Sequence, residues 1–242
     1  VTSNPTGSRF WVIDNDKKVY VYDQNGGFLG RWQANGIKNP EDITTDGTNL
    51  WIVAKASNNG NGYRLYYFQG GASWTGSTGN GQPVSYSCTA TYTLNSSNQN
   101  PVGLTYGKRT VTTANGPVVK EQLWVTDNTG CVSGNGNSAS PKVFMYNLSG
   151  NTDGQWTLDS GNTTPMGITV NPAGGNDMWV VNRHDSKIYY YAGAINWTTG
   201  THSATTTPYN LASGNDDAEG IVDPIGTTIT WKGGATGNWD TA

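Results

Sequence analysis

General acid–base chemistry near neutral pH most often uses a histidine, and this chain has two. His184 lies in Asn182-Arg183-His184-Asp185-Ser186, a turn between strands. An imidazole beside a carboxylate there serves either as a general base or as an ordinary turn pair. His202 lies in a loop rich in threonine. No Gly-x-Ser-x-Gly elbow, His-Glu-x-x-His pair or phosphate loop occurs, so catalysis has no motif to rest on. Cys88 and Cys131 lack metal-ligand spacing, which leaves one disulfide or two inert thiols. Trp74 and Trp197 are better candidates, for ligand binding. Each follows the last aromatic of a strand by 6 residues, in Ala72-Ser73-Trp74-Thr75-Gly76 and Ile195-Asn196-Trp197-Thr198-Thr199-Gly200. A tryptophan beside Asn and Thr can stack on a sugar ring or a partner's apolar patch, or fold back as a lid over its own outer strands.

The elements that must position these residues repeat four times. Phe10-Trp11-Val12-Ile13-Asp14, Leu50-Trp51-Ile52-Val53-Ala54, Leu123-Trp124-Val125-Thr126-Asp127 and Met178-Trp179-Val180-Val181-Asn182 are tryptophan-centred strands. Each is followed by a basic residue and an aromatic strand, beginning at Lys18, Arg64, Lys142 and Lys187. A third strand carries Trp32, Tyr92, Trp156 or Tyr209. After 8, 9, 9 and 9 residues come Pro40, Pro101, Pro165 and Ala218, each opening a short strand. β-Branched and aromatic runs punctuated by Gly, Asn, Asp and Pro, with no helical period, predict a four-stranded antiparallel meander per unit. Both faces of the tryptophan strands are apolar, so each sheet must be covered on both sides, as radial stacking does. Trp11, Trp51, Trp124 and Trp179 are expected in the core.

Val1 to Gly7 matches the turn that precedes a tryptophan strand, so the first unit lacks its first strand. Glu219, Gly220, Ile221 and Val222 form a first strand with no tryptophan strand after it. The expectation is an all-β, four-bladed β-propeller of 4 × 4 = 16 strands over residues 1–224, its ring closed by the C-terminal strand joining the N-terminal blade. The alternative is a fragment of a larger propeller. Residues 225–242 are expected to be a tail or linker towards a further surface-protein domain.

Pro-x-Gly-Ile, Trp-Val-x-Asp and Lys-Ile-Tyr-x-Tyr resemble NHL-type and gluconolactonase-like (SMP-30) propeller repeats over roughly residues 1–224. That resemblance implies a fold rather than a chemistry, since such folds host enzymes and binding modules alike. For the gluconolactonase-like proteins it also implies a divalent cation such as calcium at the channel mouth, with Glu41, Asn182 and Glu219 as the positions that match. The remaining matching positions hold Val102, Met166 and Ala54. Ile229-Thr230-Trp231-Lys232-Gly233-Gly234 and the residues after it resemble an autotransporter-associated β-strand repeat of bacterial surface proteins.

Charged residues are 13% of the chain against about 25% in typical proteins, and Trp plus Tyr number 23. A net charge of -3 and a pI near 5.2 exclude a nucleic-acid partner, whose phosphates need clustered Lys and Arg. No apolar run approaches the roughly 18 residues of a membrane helix. The first residue, Val1, suggests a processed or excised chain. The expected function is a non-enzymatic binding or structural module of an extracytoplasmic, secreted or cell-surface bacterial protein, contacting protein or glycan. Two alternatives are a metal-dependent hydrolase or lyase of gluconolactonase type, and a filament subunit joined to copies of itself by strand exchange.

Overall fold

The computed structural model describes residues 1–56, 62–79, 81–129, 140–171 and 175–222. They form an all-β structure of four sheets, each an antiparallel meander in chain order. The first holds β1 (Thr2–Ser3), β2 (Arg9–Ile13), β3 (Lys18–Asp23) and β4 (Phe28–Asn35). The second holds β5 (Ile37–Thr45), β6 (Leu50–Ala56), β7 (Tyr63–Phe68) and β9 (Ala90–Thr93). The third is β10 (Pro101–Thr113), β11 (Gly116–Asp127), β12 (Lys142–Asn147) and β13 (Thr152–Thr157). The fourth is β14 (Pro165–Val170), β15 (Met178–Asn182), β16 (Lys187–Tyr191) and β17 (Tyr209–Asn210). β8 (Val84–Ser87) leaves the second unit and pairs in parallel with β4, making the first sheet five-stranded.

Local chemistry sets the turns. In the short third connections, Asp23 Oδ1 accepts from the N–H groups of Asn25 and Gly27, each at 2.8 Å. Asn147 Oδ1 accepts from Ser149 and Asn151, each at 3.0 Å. These side-chain-capped turns reverse the chain at the same place in two units. Pro101 and Pro165 open β10 and β14, whereas Pro40 lies inside β5, which starts three residues earlier at Ile37; each proline coincides with a register shift, because a residue without an N–H cannot complete a regular ladder.

The sheets pack by one rule used three times. The tryptophan face of one sheet takes the opposite face of the next. Trp11, Val19, Val21 and Trp32 meet Leu50, Ile52, Tyr66 and Phe68. Trp51, Val53 and Leu65 meet Leu123, Val125, Phe144 and Tyr146. Trp124, Val143, Met145 and Trp156 meet Met178, Val180, Tyr189 and Tyr191. Burying each such side chain stabilises the fold by about 1.5–3 kcal/mol, so these three contacts hold the array together. Near the sheets' inner edges, Asp42 Oδ2 on β5 accepts from Leu104 N on β10 at 2.8 Å. Thr126 Oγ1 on β11 donates to the Met166 carbonyl on β14 at 2.8 Å.

The expected closing strand is not formed. Glu219, Gly220, Ile221 and Val222 lie in no strand, and β1 pairs only with β2, so no closed ring exists among the described residues. A β1 of two residues offers too short a ladder to hold a neighbour by main-chain bonds alone. The segment nevertheless lies against both ends of the array. A Cβ placed on Gly167 of β14 would come within 2.7 Å of Ile221 N, and one on Gly220 within 3.1 Å of Val1 Cγ1. Residues 225–242 and Cys131 lie outside the described residues. Cys88 is half-buried, with Sγ 3.4 Å from Thr91 Oγ1.

Candidate functional site

The starts of the first strands and the ends of the tryptophan strands share one rim, since Pro101 pairs with Asp127 and Pro165 with Asn182. Glu41, on β5, is half-buried there. Burial lifts its carboxyl above the usual range, opposed by a hydrogen bond from Tyr63 and by nearby Lys55, and reinforced by repulsion from Glu219. The Tyr63 hydroxyl lies between Glu41 and Asn100 Oδ1, the latter at 3.4 Å. Burial first, and Glu41 second, push it up to about 12. The Lys55 ammonium sits 5.4 Å from the Tyr63 ring centre, within cation–π range.

Of the three side chains that the gluconolactonase-like resemblance assigns to a cation, two are engaged elsewhere. Asn182 is fully buried. Its Oδ1 accepts from Thr164 N at 3.0 Å and His184 N at 3.3 Å, and its amide donates to the Gly161 carbonyl at 3.1 Å. Glu219 is ion-paired with Arg183 at 3.2 Å, and Arg183 also holds Asp217 at 2.9 Å. Among the described residues no group of three or more His, Cys, Asp or Glu converges as a metal site. As arranged, Glu41, Asn182 and Glu219 do not fit a cation.

The histidines are turn and packing residues. The carboxylate next to His184 is turned to other groups, since Asp185 Oδ2 accepts from Tyr189 Oη at 2.8 Å and lies 3.5 Å from Lys187 Nζ. His202 stacks on Trp197 with ring centres 3.8 Å apart, and its Nε2 lies 2.9 Å from the Thr199 carbonyl oxygen.

Trp74 and Trp197 occupy equivalent places in the second and fourth units. Each ends a single 3-10 turn entered through a left-handed glycine, Gly70 at φ 69° and Gly193 at φ 74°. Each loop then runs back over the preceding sheet. Arg31 and Ser77 exchange backbone hydrogen bonds at 3.0 and 2.9 Å, and Gln155 N donates to the Thr198 carbonyl at 2.9 Å. The two rings are therefore clamped. Trp74 stacks on Tyr86 at 4.1 Å and meets Trp32 edge-on at 5.5 Å. Trp197 meets Trp156 edge-on at 5.1 Å, with His202 on its face. Both sit as partly buried lids over outer-strand tryptophans, each with a stacking partner already in place.

The exposed aromatic surface lies instead at the two ends of the array. By register, Phe10, Val12, Tyr20, Tyr22 and Phe28 share the outer face of the first sheet, and Trp179, Val181, Ile188 and Tyr190 share that of the fourth, where Val181 is buried and the other three are only partly so. In the other sheets the equivalents of these residues on the facing strands are almost wholly buried, except Tyr67, which is half-buried. Here Val12 is 37% and Phe28 43% exposed, and Trp179 is only partly buried, contrary to its expected place in the core. No cluster of buried hydrophobic residues joins the fourth sheet to the first among the described residues. Sequence reasoning missed these faces, although the period-two alternation of Phe10, Val12 and of Tyr20, Tyr22 carries the signal. No protein-family model matches this chain, and a search of curated proteins finds no match.

Proposed function

We propose that this chain is a four-bladed β-propeller acting as a non-enzymatic binding module of an extracellular or cell-surface bacterial protein, with its ligand seat on the end faces. The carrying observation is that one packing rule operates three times and its fourth application is left unmade. The Trp179 face matches in chemistry the faces that bear Trp11, Trp51 and Trp124, and the Phe10–Phe28 face matches the faces packed against them. Segment 219–222, set against Gly167 and Val1, supports an inner edge that closes while the outer faces stay apart. Aromatic side chains with apolar bodies and polar tips, half-exposed and already ordered, suit the stacking of sugar rings or the apolar anchors of a protein partner. The low charge and the tail's likeness to surface-protein repeats support the location.

Titration of the purified chain with a panel of bacterial surface oligosaccharides, followed by calorimetry, tests this. A hit should weaken at least tenfold in Trp179→Ala/Tyr190→Ala while the melting temperature stays within a few degrees. Binding indifferent to that change, or turnover of a lactone or glycan, overturns it.

A further inference from the structure

The third sheet differs from the others in one respect. β10 and β11 continue past their neighbours as a two-stranded ribbon, with register running from Lys108 opposite Glu121 to Thr113 opposite Gly116. Among the described residues β12 pairs with β11 only from Gln122 onward, and β10 has no strand on its other side. Among those residues both edges of the ribbon therefore present main-chain donors and acceptors without a strand partner. Such a ribbon alone is marginal in water. This one is braced at its base. Tyr106 stacks parallel to Trp51 at 6.0 Å and donates to Glu121 Oε1 at 2.8 Å, and Lys108 Nζ pairs with the same carboxylate oxygen at 3.0 Å.

Cross-strand partners share a face, so Arg109 stands directly opposite Lys120, and Val111 opposite Val118. Among the described residues neither cation has an ion pair, and Arg109 Nε has no hydrogen-bond partner. Two like charges placed opposite one another destabilise a ribbon. Val118 is 44% and Val119 61% exposed. The arrangement breaks local rules of stability on a ribbon that extends past its neighbouring strands, a pattern that marks function.

We infer that the ribbon 108–121 is a docking arm for an extended, acidic polypeptide segment of another protein, which adds to it as a third strand. The free edges call for a partner with its own main-chain N–H and C=O groups, which polynucleotides and polysaccharides lack. The Arg109–Lys120 pair calls for a carboxylate on that face, and Val111–Val118, one step further along the same face, calls for an apolar residue two positions on. A second copy offering the same ribbon would bring the unpaired cations together, so charge disfavours self-pairing.

The probe is a blocked octapeptide, Thr-Glu-Thr-Val-Thr-Glu-Thr-Val, titrated into the whole chain by fluorescence anisotropy. Saturable binding is expected, at least tenfold weaker for Arg109→Gln/Lys120→Gln and for a peptide with Gln in place of Glu. Arg109→Glu should weaken binding as much while raising the melting temperature slightly, since it converts the like-charged pair into an ion pair and so separates loss of docking from loss of folding. The inference is overturned by absent binding, by binding unchanged in these variants, or by heparin alone binding through the same two residues. It is equally overturned by sedimentation showing a dimer that Arg109→Gln/Lys120→Gln abolishes.

Discussion

The interface between the third and fourth sheets and the unmade one between the fourth and first use the same kinds of residue with opposite outcomes. At the first, Trp124 is fully buried against Met178, Val180, Tyr189 and Tyr191. At the second, Trp179 has the same strand position and neighbours of the same chemistry, yet stays partly exposed. Residue type at a strand position therefore does not determine burial in this array. Burial depends on whether the chain brings a partner sheet up by a complete inner strand, which β14 does for the third sheet and the unladdered segment 219–222 does not do for the first.

The largest test of that difference is truncation of the two tryptophans. Trp124→Ala should cost about 3–5 kcal/mol, the usual range for a large aromatic removed from a packed core, and Trp179→Ala less than about half as much. Urea unfolding of both variants decides it. Equal losses would mean that in solution the fourth interface closes as tightly as the other three.

A second contrast uses the glycines where inner strands touch. A Cβ on Gly103 would lie 2.2 Å from the Met166 carbonyl oxygen and 2.6 Å from Thr126 Oγ1, two atoms already tied to each other by a hydrogen bond between the third and fourth sheets. Gly103→Ala should destabilise by about 1–3 kcal/mol, as overpacked cores do. A Cβ on Gly167 would press on Ile221 N and, at 2.9 Å, on Gly220 Cα. That segment carries no ladder and can shift, so Gly167→Ala should change global stability by under about 1 kcal/mol while speeding amide exchange across residues 219–222. A full-sized loss at Gly167 would show the seam to be as rigid as the finished interfaces.

Much of this was legible in the sequence. The tryptophan and aromatic strands of all four units fall where alternation and turn residues place them, within one to two residues at most ends, because strand period and side-chain-capped turns are local. The ribbon was legible in principle. Thr110-Val111-Thr112-Thr113 and Pro117-Val118-Val119 flank Ala114-Asn115-Gly116, a hairpin signal, but the repeat directs attention to Leu123 as the start of the strand. The candidate site was less legible. That Asn182 is committed to Thr164, His184 and Gly161, and Glu219 to Arg183, depends on through-space partners that residue type does not specify. The exposure of Trp179 likewise depends on a sheet more than a hundred residues away in the chain.

The smallest effect expected is electrostatic, and it probes the seam from the rim. Glu41 has a raised pKa in the folded state, chiefly from burial, with Glu219 adding repulsion. In acid below the ordinary carboxyl range the group is neutral whether folded or unfolded, and it costs nothing. As pH rises the unfolded chain ionises first, so stability is lost through the interval up to the raised folded pKa and stays lost above it. Glu41→Gln should therefore match the wild type near pH 4 and exceed it in melting temperature near pH 7, with Tyr63 still able to donate to the amide oxygen. Glu219→Gln should narrow that gap, since it removes the repulsion only if segment 219–222 lies at the rim beside β5. Melting curves of the two single variants and the double variant at both pH values separate these contributions. A gap unaffected by Glu219→Gln would place the segment away from Glu41 in solution and remove its contact with Val1 as a link between the fourth and first sheets.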